Sequence, residues 1–245
     1  MKIYGLIGRS LGHSFSKKYF TEKFTSGNYQ DCRYTNFELL SLKEHIEELK
    51  KIPGLSGLNV TVPYKTQIIS FLNEVTEDTL RINACNCIKI ENGKWVGYNT
   101  DVIGFEKSFI SMLQPTHTQA LILGTGGAAK AVAFVLKKIG IEFRYVSRSK
   151  SNLFPVLLYE EISGEILKKF PIVINATPTG MYPNVDDYPN LPYEFVSNRH
   201  YFFDLIYNPL KTKFLEKAEA NGAIIYNGEE MLRIQAEESW KTWNL

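Results

Sequence analysis

A glycine-rich turn between an apolar strand and a helix constrains the fold of this chain more than any other feature. The turn at 124–129 reads Gly-Thr-Gly-Gly-Ala-Ala, follows the apolar run Ala-Leu-Ile-Leu and opens a helical pattern at 127–139. This G-x-G-x-x-A arrangement is typical of dinucleotide-binding βαβ units. The first glycine permits the tight turn, the second lets a pyrophosphate approach the backbone, and Ala129 allows close packing of helix on strand.

The start of the following helix suits a phosphate group, because free amide N–H groups and the positive end of the helix dipole meet there. A turn that merely connects strand to helix is the alternative, and the flanking strand and helix favour dinucleotide binding. We expect the cofactor to contact four residues of the turn, namely Gly124, Gly126, Gly127 and Ala128.

The end of the next predicted strand, 142–146, indicates which dinucleotide binds. NAD-binding units commonly place Asp or Glu there, where the carboxylate accepts a hydrogen bond from the ribose 2′-hydroxyl. This chain instead has Ser147, Arg148, Ser149 and Lys150, with no carboxylate among them. Since arginine pairs well with phosphate oxygens, the sequence favours NADP(H). The alternative is that the two cations are solvated loop charges.

Composition excludes several function classes. The chain has 245 residues, is 44% hydrophobic, and carries 28 basic and 26 acidic residues for a net charge of +2. This balance predicts neither a nucleic acid nor a membrane as partner. The three cysteines lack disulfide or metal-ligand spacing, so we expect reduced thiols and no metal site. With no run of ~20 apolar residues and no recognisable signal peptide, we predict a cytoplasmic protein, either a monomer or a homodimer.

Short β-rich runs alternate with helical patterns, which predicts an α/β fold with mostly parallel strands and a domain boundary near residue 100. A hairpin of 84–91 and 94–98 should turn at Asn92-Gly93, and a helical stretch should follow 57–62 as far as about residue 72. The remaining strands are predicted at 3–7, 34–38, 57–62, 120–123, 142–146, 171–175, 201–205 and 223–226. The other helices are predicted at 17–24, 41–50, 104–113, 127–139, 211–221 and 229–243.

Small polar residues are concentrated in four further segments, at 12–16, 59–65, 83–101 and 227–235. Alternation along the predicted strand 57–62 places Asn59 and Thr61 on one face, with Val60 and Val62 on the other. Two polar groups at the carboxyl end of a strand suit a site that binds hydroxyl groups, although ordinary strand ends show the same pattern.

Taken together, these segments resemble the shikimate and quinate dehydrogenase family. The matching motifs run in the family's order over nearly the whole chain: HSFS (13–16), NVTVPYK (59–65), INACN (82–86), GYNTD (97–101), GTGGAAKA (124–131), NATPTGM (175–181), DLIYNP (204–209) and NGEEMLRIQA (227–236). The resemblance implies an N-terminal shikimate-binding domain, 1–100, and a Rossmann NADP-binding domain, 101–228. The C-terminal helix, 229–245, would pack back on the first domain.

The resemblance also implies a reaction and roles for individual residues. The reaction is the reversible, NADPH-dependent reduction of 3-dehydroshikimate to shikimate, on the route to chorismate and the aromatic amino acids. Lys65 and Asp101 would be the proton-transfer pair. The other implied contacts are Ser14, Ser16 and Tyr207 to the substrate carboxylate, Asn59, Thr61, Asn86, Asp101 and Gln235 to the ring hydroxyls, and Thr177, Met181 and Gly228 to the cofactor. Without the resemblance, Lys65 would be interpreted as a solvated lysine and Asp101 as a helix cap.

This chain departs from the family pattern at several positions. Lys17 follows the second serine, where the family usually has proline, and the usual proline after the first strand is missing from Gly8-Arg9-Ser10. The cofactor-selecting loop is Ser-Arg-Ser where Asn-Arg-Thr is common, and the short span 148–172 predicts a reduced or missing helix. We expect His13 to be a turn residue and not a general base.

Two alternatives stay open at this stage. One is a quinate/shikimate dehydrogenase that prefers NAD, which should carry a carboxylate near residue 147. The other is a non-catalytic protein that binds shikimate or a nucleotide as a regulator. Retention of both Lys65 and Asp101 speaks against the regulator, because a protein that only binds has no need of a proton-transfer pair.

Overall fold

The computed structural model describes residues 1–12, 14–151 and 154–245, which form two compact units. Unit 1 comprises residues 1–100 and 236–245, and unit 2 comprises residues 101–235. The division falls inside the last helix, so residues 229–235 of that helix belong to unit 2 and its remainder to unit 1.

Unit 1 is built on a six-stranded mixed sheet with the order β2-β1-β3-β5-β6-β4. Its strands are β1 (Lys2–Gly8), β2 (Cys32–Glu38), β3 (Leu55–Val60), β4 (Glu74–Val75), β5 (Cys87–Glu91) and β6 (Lys94–Tyr98). Strand β1 pairs in parallel with β2 and β3, whereas β5 runs antiparallel to both β3 and β6. The β5–β6 hairpin turns at Asn92 and Gly93, whose φ values of 51° and 76° are both left-handed.

The last part of the C-terminal helix returns to the sheet of unit 1, as the resemblance to the family implied, whereas residues 229–235 of this helix belong to unit 2. The helices that contribute to this unit are α1 (Phe15–Ser26), α2 (Leu42–Lys50), α3 (Glu77–Ile82) and the end of α8 (Glu229–Trp243). Trp243 stacks on Tyr4 with ring centroids 4.8 Å apart, and its indole N–H donates to the Ile88 carbonyl at 3.0 Å. A Cβ on Gly57 would lie 2.5 Å from the Trp243 ring. This aromatic packing therefore fixes where the helix docks.

Some local elements of unit 1 differ from the sequence-based expectation. Strand β3 ends at Val60 instead of 62, and residues 67–71 form a 3-10 helix. Strand β4 and helix α3 were not predicted, because two and six residues are too short to show a periodic pattern. Helix α3 is nonetheless capped, since the Thr76 hydroxyl accepts the N–H of Thr79.

Unit 2 has the doubly wound arrangement of a Rossmann domain. Its six strands, all parallel, are β7 (Gln119–Leu123), β8 (Glu142–Ser147), β9 (Val156–Leu158), β10 (Ile172–Asn175), β11 (Tyr201–Asp204) and β12 (Ile224–Tyr226). Their order β12-β11-β10-β7-β8-β9 makes the chain reverse direction between β7 and β10. Ligands of such sheets bind where the carboxyl ends of the strands meet this switch point.

The helices of unit 2 are α4 (Asp101–Ile110), α5 (Gly127–Lys138), α6 (Gly164–Lys169) and α7 (Lys213–Ala220), with the first part of α8. The short span between Arg148 and Ile172 contains β9 and the six-residue helix α6. The sequence did not predict β9, whose three residues are only half-buried.

Two buried histidines in unit 2 hold loops together as neutral side chains. His117 Nδ1 accepts the N–H of Gln114 at 3.1 Å, and its Nε2 donates to the Arg199 carbonyl at 3.2 Å. His200 repeats the arrangement, with Nδ1 3.0 Å from the Ser197 nitrogen and Nε2 3.2 Å from the Leu167 oxygen. Burial lowers the pKa of both imidazoles. A second ring proton on His117 would displace the Gln114 N–H that its Nδ1 accepts.

These histidines should make unit 2 less stable in mild acid. The unfolded chain binds protons at the ordinary histidine pKa of about 6.5, while the folded chain binds them only at lower pH. The unfolded state therefore holds more protons below about pH 6.5, and stability falls as pH falls. We expect amide hydrogen exchange in β10 and β11, corrected for intrinsic rates, to show opening that is easier at pH 5.5 than at pH 7.5.

The control is the double variant His117→Gln/His200→Gln, which keeps one acceptor and one donor at each position but does not titrate. Its opening should depend less steeply on pH in this range. Burial raises the pKa of Asp204 to about 7, which acts in the opposite direction, but Asp204 is common to both proteins. Equal pH dependence in the two proteins would contradict the assignment to the histidines.

Candidate active site

The glycine turn after β7 has the geometry that a bound pyrophosphate requires. Gly124 has φ of 101°, and a Cβ there would lie 2.9 Å from the Thr177 methyl carbon. Gly126 precedes α5 with extended φ and ψ of −74° and −174°, and a Cβ there would meet no atom of the described chain within 4 Å. Packing within the chain therefore does not demand glycine at 126, whereas close approach of a pyrophosphate does.

Helix α5 presents its N-terminus at this turn. Ala129 is fully buried where helix meets strand, as the fingerprint requires. Gly127 and Ala128 lie in the first turn, whose N–H groups have no partner within an α-helix. With twelve residues in the helix, its dipole adds to the attraction for phosphate. These residues fit the diphosphate of a dinucleotide.

The loop after β8 leaves one cation for a 2′-phosphate. The Ser149 N–H donates to the Ser147 hydroxyl oxygen at 3.4 Å, which curls the loop around Arg148. Lys150 forms an ion pair with Glu161 at 3.2 Å. Arg148 is exposed and makes neither a hydrogen bond nor an ion pair within residues 1–12, 14–151 and 154–245. Arg148 and Lys150 therefore differ in their side-chain contacts, a difference that the sequence alone does not reveal.

Across the switch point, a buried carboxylate organises the loops after β10 and β11. Asn175 and Asp204 end these strands, and the Asn175 amide nitrogen donates to Asp204 Oδ1 at 3.1 Å. Asp204 also accepts the Ile206 N–H at 3.0 Å and the Thr212 hydroxyl at 2.6 Å. The Asn175 oxygen accepts the N–H and the hydroxyl of Thr177, at 3.1 and 2.6 Å. Asp204 therefore fixes the position of Thr177 through Asn175. Thr177 is one of the residues that were assigned to cofactor binding from the sequence.

Gly228 lies against the same loop. Its N–H donates to the Ile206 carbonyl at 3.0 Å, and a Cβ would fall 2.2 Å from the Leu205 oxygen. Tyr207 follows in the same loop and Met181, 44% exposed, lies in the loop after β10. Sequence reasoning selected Thr177, Met181, Tyr207 and Gly228 but missed Asp204. A carboxylate that ends a predicted buried strand is the signal that could have found it.

In unit 1, the two serines of the first motif lie at the N-terminus of α1. Ser14 is the N-cap residue, and its hydroxyl oxygen accepts the Lys17 N–H at 3.2 Å. Ser16 is buried in the first turn. A proline at position 17 has no N–H and could not form this cap. The departure at Lys17 thus adds a hydrogen bond that orders the serine motif. His13, between Gly12 and Ser14, lies outside the described residues.

The loop before Ser14 is fixed by the edge strand β2. The Glu38 carboxylate accepts the Leu11 N–H, and the Asn36 amide donates to the Leu11 carbonyl at 3.0 Å. The Leu39 N–H donates to the Gly8 carbonyl at 2.9 Å. The family usually has a proline after β1. This chain instead fixes the N–H and the carbonyl of Leu11 with the side chains of Glu38 and Asn36.

Asn59, at the carboxyl end of β3, is buried and bonded on both sides of its amide. Its nitrogen donates to the Asn86 carbonyl at 3.3 Å and to the Ser239 hydroxyl at 2.9 Å. Its oxygen accepts the Tyr34 hydroxyl at 2.8 Å. Both amide hydrogens are therefore engaged within unit 1, so the side chain is suited to holding neighbours in place.

Thr61 lies directly after the last residue of β3. The Thr61 N–H donates to the Ile7 carbonyl at 2.8 Å, while its hydroxyl makes no hydrogen bond in the described part of the chain. The buried Asn86 is oriented by Thr100, whose N–H donates to the Asn86 side-chain oxygen at 2.7 Å. Thr61 therefore has the hydroxyl that a ligand could bind most readily.

Lys65 and Asp101 occupy well-defined backbone positions. The Lys65 carbonyl accepts the Cys85 N–H at 2.7 Å, and the preceding residue, Tyr64, is buried. Asp101 is the buried first residue of α4, where the helix dipole favours a negative charge.

Gln235 lies on α8 in unit 2, packed against α4. A Cβ on Gly104 would be 2.7 Å from the Met231 carbonyl oxygen and 3.1 Å from the Gln235 Cβ. Gly104 therefore permits the close approach of α8 to the helix that begins with Asp101.

Comparisons with known proteins agree with this arrangement. A family model described as the shikimate dehydrogenase substrate binding domain matches residues 6–88. A Caldicellulosiruptor bescii protein named shikimate dehydrogenase (NADP(+)) is 38% identical, over 99% of this chain and 89% of its own length. This chain belongs to the shikimate dehydrogenase family.

Solved structures of family members extend over both units. A shikimate dehydrogenase from Aquifex aeolicus superimposes with a TM-score of 0.89 at 34% identity, covering 100% of this chain and 92% of that one. A Thermus thermophilus enzyme solved with NADP(H) and shikimate gives 0.85 at 28% identity, covering 99% and 93%. No helix in the described ranges has the length and apolarity to cross a membrane.

Arg148→Ala should weaken NADPH binding about 10- to 100-fold, the range expected when a charge-assisted hydrogen bond of ~1.5–3 kcal/mol is lost. NADH lacks the 2′-phosphate, so its affinity should not change. Lys150→Ala is the matched control, since its ammonium group already pairs with Glu161. Titration of the three proteins with both cofactors measures this, and an unchanged NADPH affinity in Arg148→Ala would rule out the assignment.

Proposed function

We propose that this chain catalyses the reversible, NADPH-dependent reduction of 3-dehydroshikimate to shikimate, on the route to chorismate and the aromatic amino acids. The observation that carries the proposal is the match to a shikimate dehydrogenase (NADP(+)) over 99% of the chain. The chain keeps Lys65, Asp101 and the serine motif. A cytoplasmic location, and a monomer or homodimer, stay predictions from the sequence.

Substrate recognition divides between the carboxylate and the ring. Ser14 and Ser16, at the N-terminus of α1, bind the carboxylate together with Tyr207, because hydroxyl donors and a helix N-terminus favour an anion. Thr61, Asn86, Asp101 and Gln235 bind the ring hydroxyls. Asn59 has both amide hydrogens engaged by Asn86 and Ser239, so we assign it to holding these neighbours.

The cofactor is held by residues of unit 2. The pyrophosphate would be held by Gly124, Gly126, Gly127 and Ala128, and the 2′-phosphate by Ser147, Arg148 and Ser149. Thr177, Met181 and Gly228 would contact the nicotinamide. Asp204 supports this last group through its bonds to Asn175 and the Ile206 N–H.

When bound, NADPH supplies the hydride that reduces the ketone carbon. The carbonyl oxygen then gains negative charge and needs a proton. The Lys65 ammonium group stabilises that charge and donates the proton. The Asp101 carboxylate orients the lysine and accepts a hydrogen bond from a ring hydroxyl. In the reverse direction, Lys65 accepts the hydroxyl proton as hydride leaves.

The function is tested by following NADPH absorbance with shikimate and NADP⁺, beside NAD⁺ and quinate. We expect strong activity with shikimate and NADP⁺ alone. Dominant activity with quinate or NAD⁺ would favour the broader quinate/shikimate dehydrogenases. Binding of shikimate by folded protein without turnover of any pair would favour a regulator. The loop 147–149, which lacks a carboxylate, argues against NAD⁺.

Lys65→Ala should lower turnover by about 10²- to 10⁴-fold while shikimate still binds, as expected for loss of a general acid–base group. Lys51→Ala, which removes an exposed lysine of the same unit, serves as the control and should leave turnover unchanged. Steady-state rates and shikimate titrations of both variants give the comparison. Turnover near the wild-type value in Lys65→Ala would exclude this lysine from proton transfer.

A further inference from the structure

Ser239 is a completely buried serine whose hydroxyl bonds to two other elements of unit 1. Its oxygen lies 2.9 Å from the Asn59 amide nitrogen, at the end of β3, and 3.2 Å from the Thr100 hydroxyl oxygen, after β6. Thr242, three residues further along α8, behaves as helical hydroxyls commonly do: it donates to the Glu238 carbonyl one turn back, at 2.8 Å. Ser239 thus ties α8 to two loops that carry predicted substrate contacts.

The hydrogen bonds continue from Ser239 in both directions. On one side, Asn59 accepts the Tyr34 hydroxyl at 2.8 Å, and its amide nitrogen donates to the Asn86 carbonyl at 3.3 Å. On the other side, the Thr100 hydroxyl lies 3.1 Å from the Asn86 amide nitrogen. The five residues of this chain of hydrogen bonds are all buried: Tyr34, Asn59, Ser239, Thr100 and Asn86.

Both branches of the chain of hydrogen bonds reach Asn86, through its backbone carbonyl and through its side-chain amide. Asn86 is proposed to hold a ring hydroxyl of the substrate. Buried polar networks whose members are satisfied become rigid, since each displaced group would lose a bond in a poorly solvated place. Ser239 occupies the middle, where it fixes Asn59 and Thr100 together.

We propose that Ser239 is a positioning residue for substrate binding, which sets Asn86 in place through Asn59 and Thr100. This inference rests on the proposed function, because it takes the assignment of Asn86 from it. Loss of the hydroxyl leaves the Asn59 amide with one acceptor fewer and removes the Ser239–Thr100 hydrogen bond. The consequence is weaker shikimate binding with the proton-transfer groups intact.

Ser239→Ala tests the proposal in steady-state kinetics. We expect KM for shikimate to rise about 5- to 20-fold, with kcat within about two-fold of wild type and KM for NADP⁺ unchanged, given that a buried hydrogen bond contributes ~1–2 kcal/mol. Thr242→Val is the matched control: it removes another buried hydroxyl of the same helix, one that bonds only to its own helix in the described residues. Equal shikimate KM in the two variants would overturn the proposal.

A double-mutant cycle with Tyr34→Phe separates a shared network from independent packing damage. Tyr34→Phe removes the hydroxyl that the Asn59 side-chain oxygen accepts. If Ser239 acts through this path, the effects of the two substitutions on shikimate KM combine to less than the product of the single effects. Purely multiplicative effects would overturn the path. If Ser239→Ala does not fold, Tyr34→Phe alone tests the path: a raised shikimate KM supports it, and an unchanged shikimate KM overturns it. Wild-type protein without shikimate-dependent NADP⁺ reduction would instead overturn the proposed function, before any variant is compared.

Discussion

The side-chain amide of Asn59 is the group on which the polar end of unit 1 depends. Leaving a buried amide without hydrogen-bond partners costs ~1–3 kcal/mol of folding free energy, so the amide and its partners hold one another in place. Those neighbours are Tyr34 of β2, the Asn86 backbone before β5 and Ser239 of α8. One amide therefore sets the relative positions of an edge strand, a hairpin and the C-terminal helix, and the serine motif is ordered from the same strand through Glu38 and Asn36.

Unit 2 uses the same principle at the switch point of its parallel sheet. Asp204 accepts hydrogen bonds from the Asn175 amide, the Ile206 N–H and the Thr212 hydroxyl. Burial raises its pKa to about 7, while these bonds act to lower it. In both units, a buried polar side chain at the end of a strand orders the neighbouring loops. These loops carry the residues that are proposed to bind substrate or cofactor. Rigid placement of such groups is what efficient hydride and proton transfer requires.

The sequence predicted what local rules decide. Asn92-Gly93 dictates a left-handed hairpin turn, and the glycine turn at 124–129, with its strand and helix, dictates a dinucleotide-binding unit. Contacts between residues that are far apart in the sequence could not be predicted from such local patterns. Asn59 was predicted to contact the ring hydroxyls, and the sequence could not show that its side chain also bonds to partners 25, 27 and 180 positions away. Ser239 went unnoticed for the same reason, whereas Asp204 could have been found as a carboxylate that ends a predicted buried strand. Lys17 looked like a loss until its N–H was seen to cap α1 at Ser14.

A crystal structure of the wild-type protein with NADP⁺ and shikimate tests most directly whether the polar groups of unit 1 are built in advance for the substrate. The account predicts the shikimate carboxylate on the Ser14 and Ser16 hydroxyls and ring hydroxyls on Thr61 and Asn86. It predicts that Asn59 keeps its bonds to Tyr34, Asn86 and Ser239. An Asn59 amide turned toward shikimate, with the bonds to Tyr34 and Ser239 broken, would contradict it, as would shikimate bound away from the serine motif.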